Sequence, residues 1–169
     1  QFIPIVEWID PDAKSGELSI LPGQTGKKAI VTQWSVKPLD YGKFLIGVFD
    51  EWVRKDVGDF FVVTFDCVLA NWMRVPPPLC IAAEVCGHAG AMEFNGDVYS
   101  CDHYVFPEYK LGNIKEKNLN TMMSSPEQSR FGLNKNDSLP AYCKKCDFLD
   151  LCFGECPKNR IIKTTDLNP

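Results

Sequence analysis

Eight cysteines in 169 residues constrain this chain more than any other feature, and they are unevenly placed. They stand at positions 67, 80, 86, 101, 143, 146, 152 and 156, so all but Cys67 lie beyond Pro78. From Cys143 the spacing is C-x2-C-x5-C-x3-C, which puts four thiols within 14 residues. That density exceeds what core packing asks for. Two cysteines separated by two residues can turn both sulfurs toward one metal ion or cluster. Cys152 and Cys156 would share a face if both lay on one helical turn.

Three chemistries compete for these thiols. Disulfides need an oxidising compartment. The chain opens on Gln1 and shows no basic segment followed by an apolar one, hence no secretory signal. The seven clustered cysteines are also an odd number. Structural zinc normally draws on paired C-x2-C motifs, and only one is present. Iron–sulfur clusters commonly take four thiolates per 4Fe–4S centre, and seven or eight thiolates fit two such centres.

The rest of the composition narrows the setting. Hydrophobic residues make up 45% and charged residues 24%, the balance of a folded globular protein. A net charge of −4 with no basic run argues against nucleic acid as the main partner. No apolar stretch approaches the roughly 20 residues of a membrane span. A cytoplasmic location is expected.

The chain reads as two parts, 1–78 and 79–169, divided at Pro76-Pro77-Pro78. In the first, Phe2, Ile3, Ile5 and Val6 suit a buried strand entered in mid-protein, which suggests a piece of a longer chain. Asp10–Lys28 reads as a loop. A helix is expected after Pro38, because Phe44, Leu45, Val48, Phe49, Trp52 and Val53 form one helical face, with Gly58 as its stop. Phe60–Phe65 reads as a second buried strand, and Cys67–Trp72 as a short helix. Strand, helix and strand in this order imply one βαβ unit of a parallel sheet. In the second part, Asn95-Gly96 between two short apolar runs predicts a hairpin with a type I′ turn. Pro126–Arg130 is a helix candidate with Ser125 as its N-cap. The expected fold class is thus the α/β end of a partial barrel followed by a small, Cys-rich α+β domain.

The cysteine pattern resembles a known family. Cys86-x9-Gly96-x4-Cys101, a gap, then Cys143-x2-Cys146-x5-Cys152-x3-Cys156 is similar to the SPASM domain of radical S-adenosylmethionine enzymes. Cys80, the run Cys101-Asp102-His103-Tyr104-Val105, Lys110-Leu111-Gly112-Asn113-Ile114 and Cys152-Phe153-Gly154-Glu155-Cys156-Pro157-Lys158 narrow the resemblance to the anaerobic sulfatase-maturating enzymes. The opening residues and the helix after Pro38 resemble the last part of that family's partial barrel.

The resemblance implies an oxidoreductase that converts a Cys or Ser side chain of a sulfatase polypeptide to Cα-formylglycine, a post-translational modification. A radical made from S-adenosylmethionine takes a hydrogen from the side-chain Cβ, a base takes a proton, and an electron leaves through auxiliary clusters. It assigns Cys80, Cys86, Cys101 and Cys156 to one auxiliary 4Fe–4S cluster, and Cys143, Cys146 and Cys152 to another. Asp102 matches the proton-accepting carboxylate. Two departures accompany it. No C-x3-C-x2-C triplet occurs, so these residues alone should not generate the radical. No cysteine follows Cys156, so the second cluster is expected to be incomplete, with zinc as a substitute. The competing functions are a non-catalytic zinc-binding protein-interaction module and the SPASM domain of another peptide-modifying radical enzyme. Oligomeric state has no sequence signal here.

Other residues carry a functional reading beside a plainer one. A solvated carboxylate at a strand end is the plainer reading of Asp102. His88 reads as a loop residue and His103 as structural or substrate-side. Cys67 reads as a packed thiol. Glu7 stands where a parallel-sheet enzyme places ligand groups, though a surface carboxylate fits equally. Trp52 and Phe49 read as core. Tyr104 and Phe106 suit either a peptide groove or the core.

Overall fold

The computed structural model describes residues 1–9 and 30–160, with Trp8, Ile9 and Ile30 as backbone only. The expected loop over Asp10–Lys28 lies outside the described residues. The chain forms two compact units, Gln1–Pro78 and Leu79–Pro169.

In the first unit, strand β1 (Trp8–Ile9) pairs antiparallel with β2 (Ile30–Val31). The pairing runs on irregularly: the Thr32 N–H donates to the Glu7 carbonyl and the Val36 N–H to that of Ile5. Phe2–Val6 is therefore not the buried parallel strand expected, and Ile3 and Ile5 are 74% and 64% exposed. Helix α1 spans Pro38–Lys55, with the proline in its first turn and Arg54 and Lys55 in its last, where cations suit the helix dipole. Asp56 caps it, and Gly58 takes a left-handed φ of 92° in the turn beyond.

The expected strand over Phe60–Phe65 does not form. Helix α2 (Val63–Trp72) begins inside it, and Phe60 and Phe61 are exposed. The β-branched run Val62-Val63-Thr64 favours a strand, but tertiary packing overrides that preference. The Phe60 carbonyl accepts from the Trp52 indole at 2.7 Å, which holds the backbone in a turn. Phe65 then packs against Phe49 and Trp52, with ring centroids 5.2 and 5.3 Å away. Such aromatic pairs add about 0.5–1.5 kcal/mol each beyond the area they bury. Trp52, Phe65 and Cys67 are buried, whereas Phe49 is only partly covered. All strand pairs among the described residues are antiparallel, so no βαβ unit is present there.

The second unit is α+β. Strands β3 (Ala91–Met92), β4 (Asp97–Tyr99) and β5 (Lys110–Asn113) form an antiparallel sheet in that order. The turn joining β3 and β4 is not type I′, which needs positive φ at both central residues. Only Gly96 has it, at 92°. The Gly96 N–H donates to the Glu93 carbonyl, and the Glu93 N–H to that of Asp97, so the loop has three residues ending in a left-handed glycine. Asn95 is freed to accept the Asp97 N–H on its side chain at 2.9 Å. The Asp97 carboxylate then accepts from Lys110 Nζ at 2.7 Å and Asn113 Nδ2 at 2.9 Å, which locks β5 onto β4.

Four helices follow: α3 (Leu119–Met123), α4 (Pro126–Asp137), α5 (Ala141–Lys144) and α6 (Leu149–Cys152). Ser125 caps α4 as expected, accepting from the Gln128 N–H, but the helix runs to Asp137 rather than ending near Arg130. Val98, Met122 and Leu139, each 1% exposed, centre the core. Beside them Tyr104, Tyr109 and Phe131 meet edge to face, with centroids 4.9–5.7 Å apart. Tyr104 is thus a core residue.

Candidate metal centre

Helix α4 has a polar buried face. Its buried residues are Gln128, Gly132 and Lys135, spaced i, i+4, i+7 along one side. Each of them holds a segment that carries a cysteine. Gln128 Nε2 donates to the Gly87 carbonyl at 2.8 Å and the Ser100 carbonyl at 3.0 Å, so one amide links the residue after Cys86 to the residue before Cys101. The Gly132 carbonyl accepts the Cys86 N–H at 3.1 Å. The Lys135 ammonium donates to the carbonyls of Cys80 and Ile81, both at 2.9 Å, and to that of Ala83. It thereby fixes the short 3-10 turn Cys80–Ala82.

This face draws three distant cysteines toward one place, and the fourth arrives from the C-terminal side. Helix α6 ends at Cys152 and packs against the Cys80–Ala82 turn. The chain then passes through three successive left-handed residues, Phe153, Gly154 and Glu155, with φ of 47°, 69° and 56°. Left-handed backbone is unfavourable for the two non-glycine residues. Cys152 and Cys156 therefore do not share a helical turn. The reversal instead delivers Cys156 to a buried position, while Cys152 is exposed.

Electrostatics record the convergence. Cys86 lies within electrostatic reach of Cys80 and Cys156, and Cys101 of Cys156. The Tyr104 hydroxyl feels Cys156, Cys101 and Cys86. Burial pushes the Cys86 and Cys156 thiols above their ordinary value. It pushes Cys101 up to about 12, assisted by the neighbouring Asp102 carboxylate. Burial holds Lys135 below its ordinary value, and the adjacent Cys86 and Cys80 thiols oppose this only in part.

Cys143 lies on α5, and its carbonyl accepts the Cys146 N–H; the Cys146 carbonyl in turn accepts the N–H of Leu149, the first residue of α6. The Cys152 sulfur accepts the Gly154 N–H at 3.4 Å. Among the described residues, the tightest group able to hold one ion is Cys101, Asp102 and His103. There the Cys101 thiol donates to Asp102 Oδ1 at 3.2 Å, and His103 Nδ1 lies 3.7 Å from the same oxygen. That thiol hydrogen bond is the main cause holding the Asp102 carboxyl below its ordinary value.

The remaining candidates divide plainly. Cys67 is buried and His88 is an exposed loop residue. Glu7 is half-buried and accepts the Trp34 indole N–H. Gln128, Gly132, Lys135 and Arg160 were invisible to sequence reasoning. Arg160 donates to the Gly154 carbonyl at 3.2 Å and to Ser138 Oγ at 3.1 Å. No described helix is long and apolar enough to cross a membrane.

Comparison with known proteins follows the same lines. The family model for SPASM, an iron–sulfur cluster-binding domain, matches residues 86–147. All 169 residues align with a serine-type anaerobic sulfatase-maturating enzyme from Bacteroides thetaiotaomicron at 54% identity, covering 40% of that protein. A cysteine-type enzyme from Clostridium novyi is 32% identical over 75% of this chain and 34% of its own length. The solved structure of native anSMEcpe with bound AdoMet and Kp18Cys peptide superposes with a TM-score of 0.69 at 28% identity, over 89% of this chain and 41% of that one. The chain spans about two fifths of the length of the first of these relatives. Residues 86–147 thus match the SPASM iron–sulfur cluster-binding domain, and the chain is similar to part of the anaerobic sulfatase-maturating enzymes, over all of its own residues in the Bacteroides thetaiotaomicron protein.

Proposed function

We propose that this chain is the auxiliary-cluster and substrate-binding part of a radical S-adenosylmethionine enzyme that oxidises a Cys or Ser of a sulfatase polypeptide to Cα-formylglycine in the cytoplasm. The observation that carries the reading is the convergence of Cys80, Cys86, Cys101 and Cys156 around α4, in a chain 54% identical to a serine-type enzyme of this kind. That identity favours serine as the target residue. Gln1–Pro78 would then be the end of the partial barrel, and Leu79–Pro169 the cluster-bearing domain.

The donor set fits a polynuclear group better than a single zinc ion. Four sulfurs at about 2.3 Å from one zinc would stand about 3.8 Å apart. Among the described residues, no three thiols lie within 4.8 Å of one another. Cys80, Cys86, Cys101 and Cys156 would hold one 4Fe–4S cluster, and Cys143, Cys146 and Cys152 would contribute to a second. When bound, such clusters supply a route for the electron that the oxidation releases.

The chain's own residues do the rest. Asp102 is exposed beside Cys101 and its carboxyl stays ionised, so it can accept the proton that the target side chain's Oγ or Sγ gives up once the Cβ has lost its hydrogen. Glutamine, glycine and lysine on α4 hold three ligand segments at fixed distances, which a preorganised metal site requires. A similar solved structure with bound AdoMet and a peptide supports a polypeptide as the substrate.

Anaerobic purification followed by measurement of iron, acid-labile sulfide and zinc tests the reading. About four irons and four sulfides per cluster, with broad visible absorption, is the expected result. Tightly bound zinc, with no iron even after anaerobic reconstitution, would overturn it.

A further inference from the structure

The buried face of α4 ends in a cation whose charge has no partner among the carboxylates. Lys135 is 1% exposed. An ammonium has three protons and no acceptor site, so the carbonyls of Cys80, Ile81 and Ala83 saturate it, and only the charged form can serve all three. Those bonds satisfy its donors without cancelling its charge. Among the described residues no carboxylate lies within ion-pair distance of it.

What Lys135 does face is the thiol group. Cys86, Cys80 and Cys156 are within its electrostatic reach, together with a second cation, Arg160. The Arg160 Nη2 atom is itself buried with no hydrogen-bond partner among the described residues. Two neighbouring cations withdrawn from water repel each other and lose hydration, an arrangement that is costly unless an anion compensates it. Four neutral thiols do not compensate it, whereas thiolates gathered on an iron–sulfur group do.

We propose that Lys135 is the charge-compensating and positioning residue for an anionic iron–sulfur group on Cys80, Cys86, Cys101 and Cys156, and that it raises that group's reduction potential. The proposal rests on the auxiliary-cluster reading and adds what sets the potential there. A 4Fe–4S group bound by four thiolates is anionic and gains a further negative charge on one-electron reduction, so a fixed cation beside it favours the reduced form. The hydrogen bonds to the Cys80–Ala83 carbonyls do the positioning, and the charge acts on the potential.

The two roles separate in Lys135→Gln and Lys135→Arg. Gln keeps donors for the carbonyls and loses the charge; Arg keeps the charge. The protein is reconstituted anaerobically with iron and sulfide, and the paramagnetic signal that Cys101→Ser removes is titrated with dithionite. Lys135→Gln is expected to lower the reduced-to-oxidised ratio about tenfold at fixed ambient potential, about 59 mV for a one-electron couple. Lys135→Arg is expected to hold the wild-type value. An unchanged potential in Lys135→Gln overturns the proposal. If Lys135→Gln takes up no iron, the decision falls to Lys135→Arg, which must load iron and keep the wild-type potential; failure of either overturns it. A wild-type protein that takes up no iron overturns the cluster reading as well, which distinguishes the two failures.

Discussion

The Cα of Gly132 stands so close to Cys86 that a Cβ built on it would lie 2.5 Å from the Cys86 carbonyl oxygen. The helix and the loop that carries Cys86 touch there backbone to backbone. The neighbouring Cys86 N–H bonds the Gly132 carbonyl at 3.1 Å, so the loop cannot move away without losing that contact.

Gly132→Ala therefore sets two effects against each other. Alanine gains about 1 kcal/mol of helix propensity over glycine. Overpacking a tight contact costs about 1–3 kcal/mol, and here the obstacle is backbone rather than a side-chain end. The net expectation is a loss of up to about 2 kcal/mol in urea unfolding, with reduced iron uptake. An alanine variant more stable than wild type would show that the contact is loose.

Gln128 joins two cysteine-bearing segments through one amide, and Gln128→Leu tests that link. The substitution leaves the Gly87 and Ser100 carbonyls without their donor. A buried acceptor left unsatisfied costs about 1–3 kcal/mol. The expected loss is about 2–4 kcal/mol, measured by denaturant unfolding of the metal-free chain. The amides of Cys86 and Ser100, which donate to the Gly132 and Tyr109 carbonyls, should also exchange with deuterium faster. Wild-type exchange at both would mean that the sheet and loops hold their spacing without α4.

The metal-free chain should lose stability in alkali through its buried thiols. Cys101 is raised from 9.0 to about 12, and Cys86 and Cys156 are raised as well, all chiefly by burial. A group whose folded pKa is raised binds more protons folded than unfolded between the two values. Its contribution is whole below about pH 9 and falls as the pH climbs toward about 12. Urea midpoints across that range should decline, and Cys101→Ala should flatten the decline. An unaltered slope in that variant would remove Cys101 as a source. Cluster binding needs thiolates, so loading should release protons and reverse this dependence.

The sequence made some of this legible and hid the rest for physical reasons. Helix α1 was readable because Phe44, Leu45, Val48, Phe49, Trp52 and Val53 repeat with helical period, and α4 because Pro126 and Ser125 mark its start. The cysteines mark a candidate metal site by type and spacing alone. Phe60–Phe65 misled because β-branched and aromatic residues favour strands in isolation, while the Trp52–Phe60 bond and the Phe65 ring contacts are tertiary. The Asn95-Gly96 turn misled because Asn95 uses its side chain, not a positive φ, to close the loop. The face of α4 was hidden most deeply. Gln128, Gly132 and Lys135 carry no apolar pattern on their helical stripe, and polar periodicity ordinarily faces water. Only the carbonyls of distant loops explain why those residues are buried.

Asp102 offers the sharpest test of the chemistry. Its carboxylate is 72% exposed and accepts a hydrogen bond from Cys101, whereas Cys101 is half-buried beside Cys156. The thiol side of this pair lies within electrostatic reach of Cys156, and the carboxylate side is open to solvent. Asp102→Asn keeps the size of the side chain and removes the base. A positioned general base contributes about 10²–10⁴-fold. In the intact enzyme, formylglycine production from a sulfatase peptide should fall by about that factor, while iron and sulfide per chain stay at the wild-type level. Loss of iron in parallel with activity would make Asp102 a part of the metal site instead, and full activity would leave it a solvated carboxylate at the end of a strand.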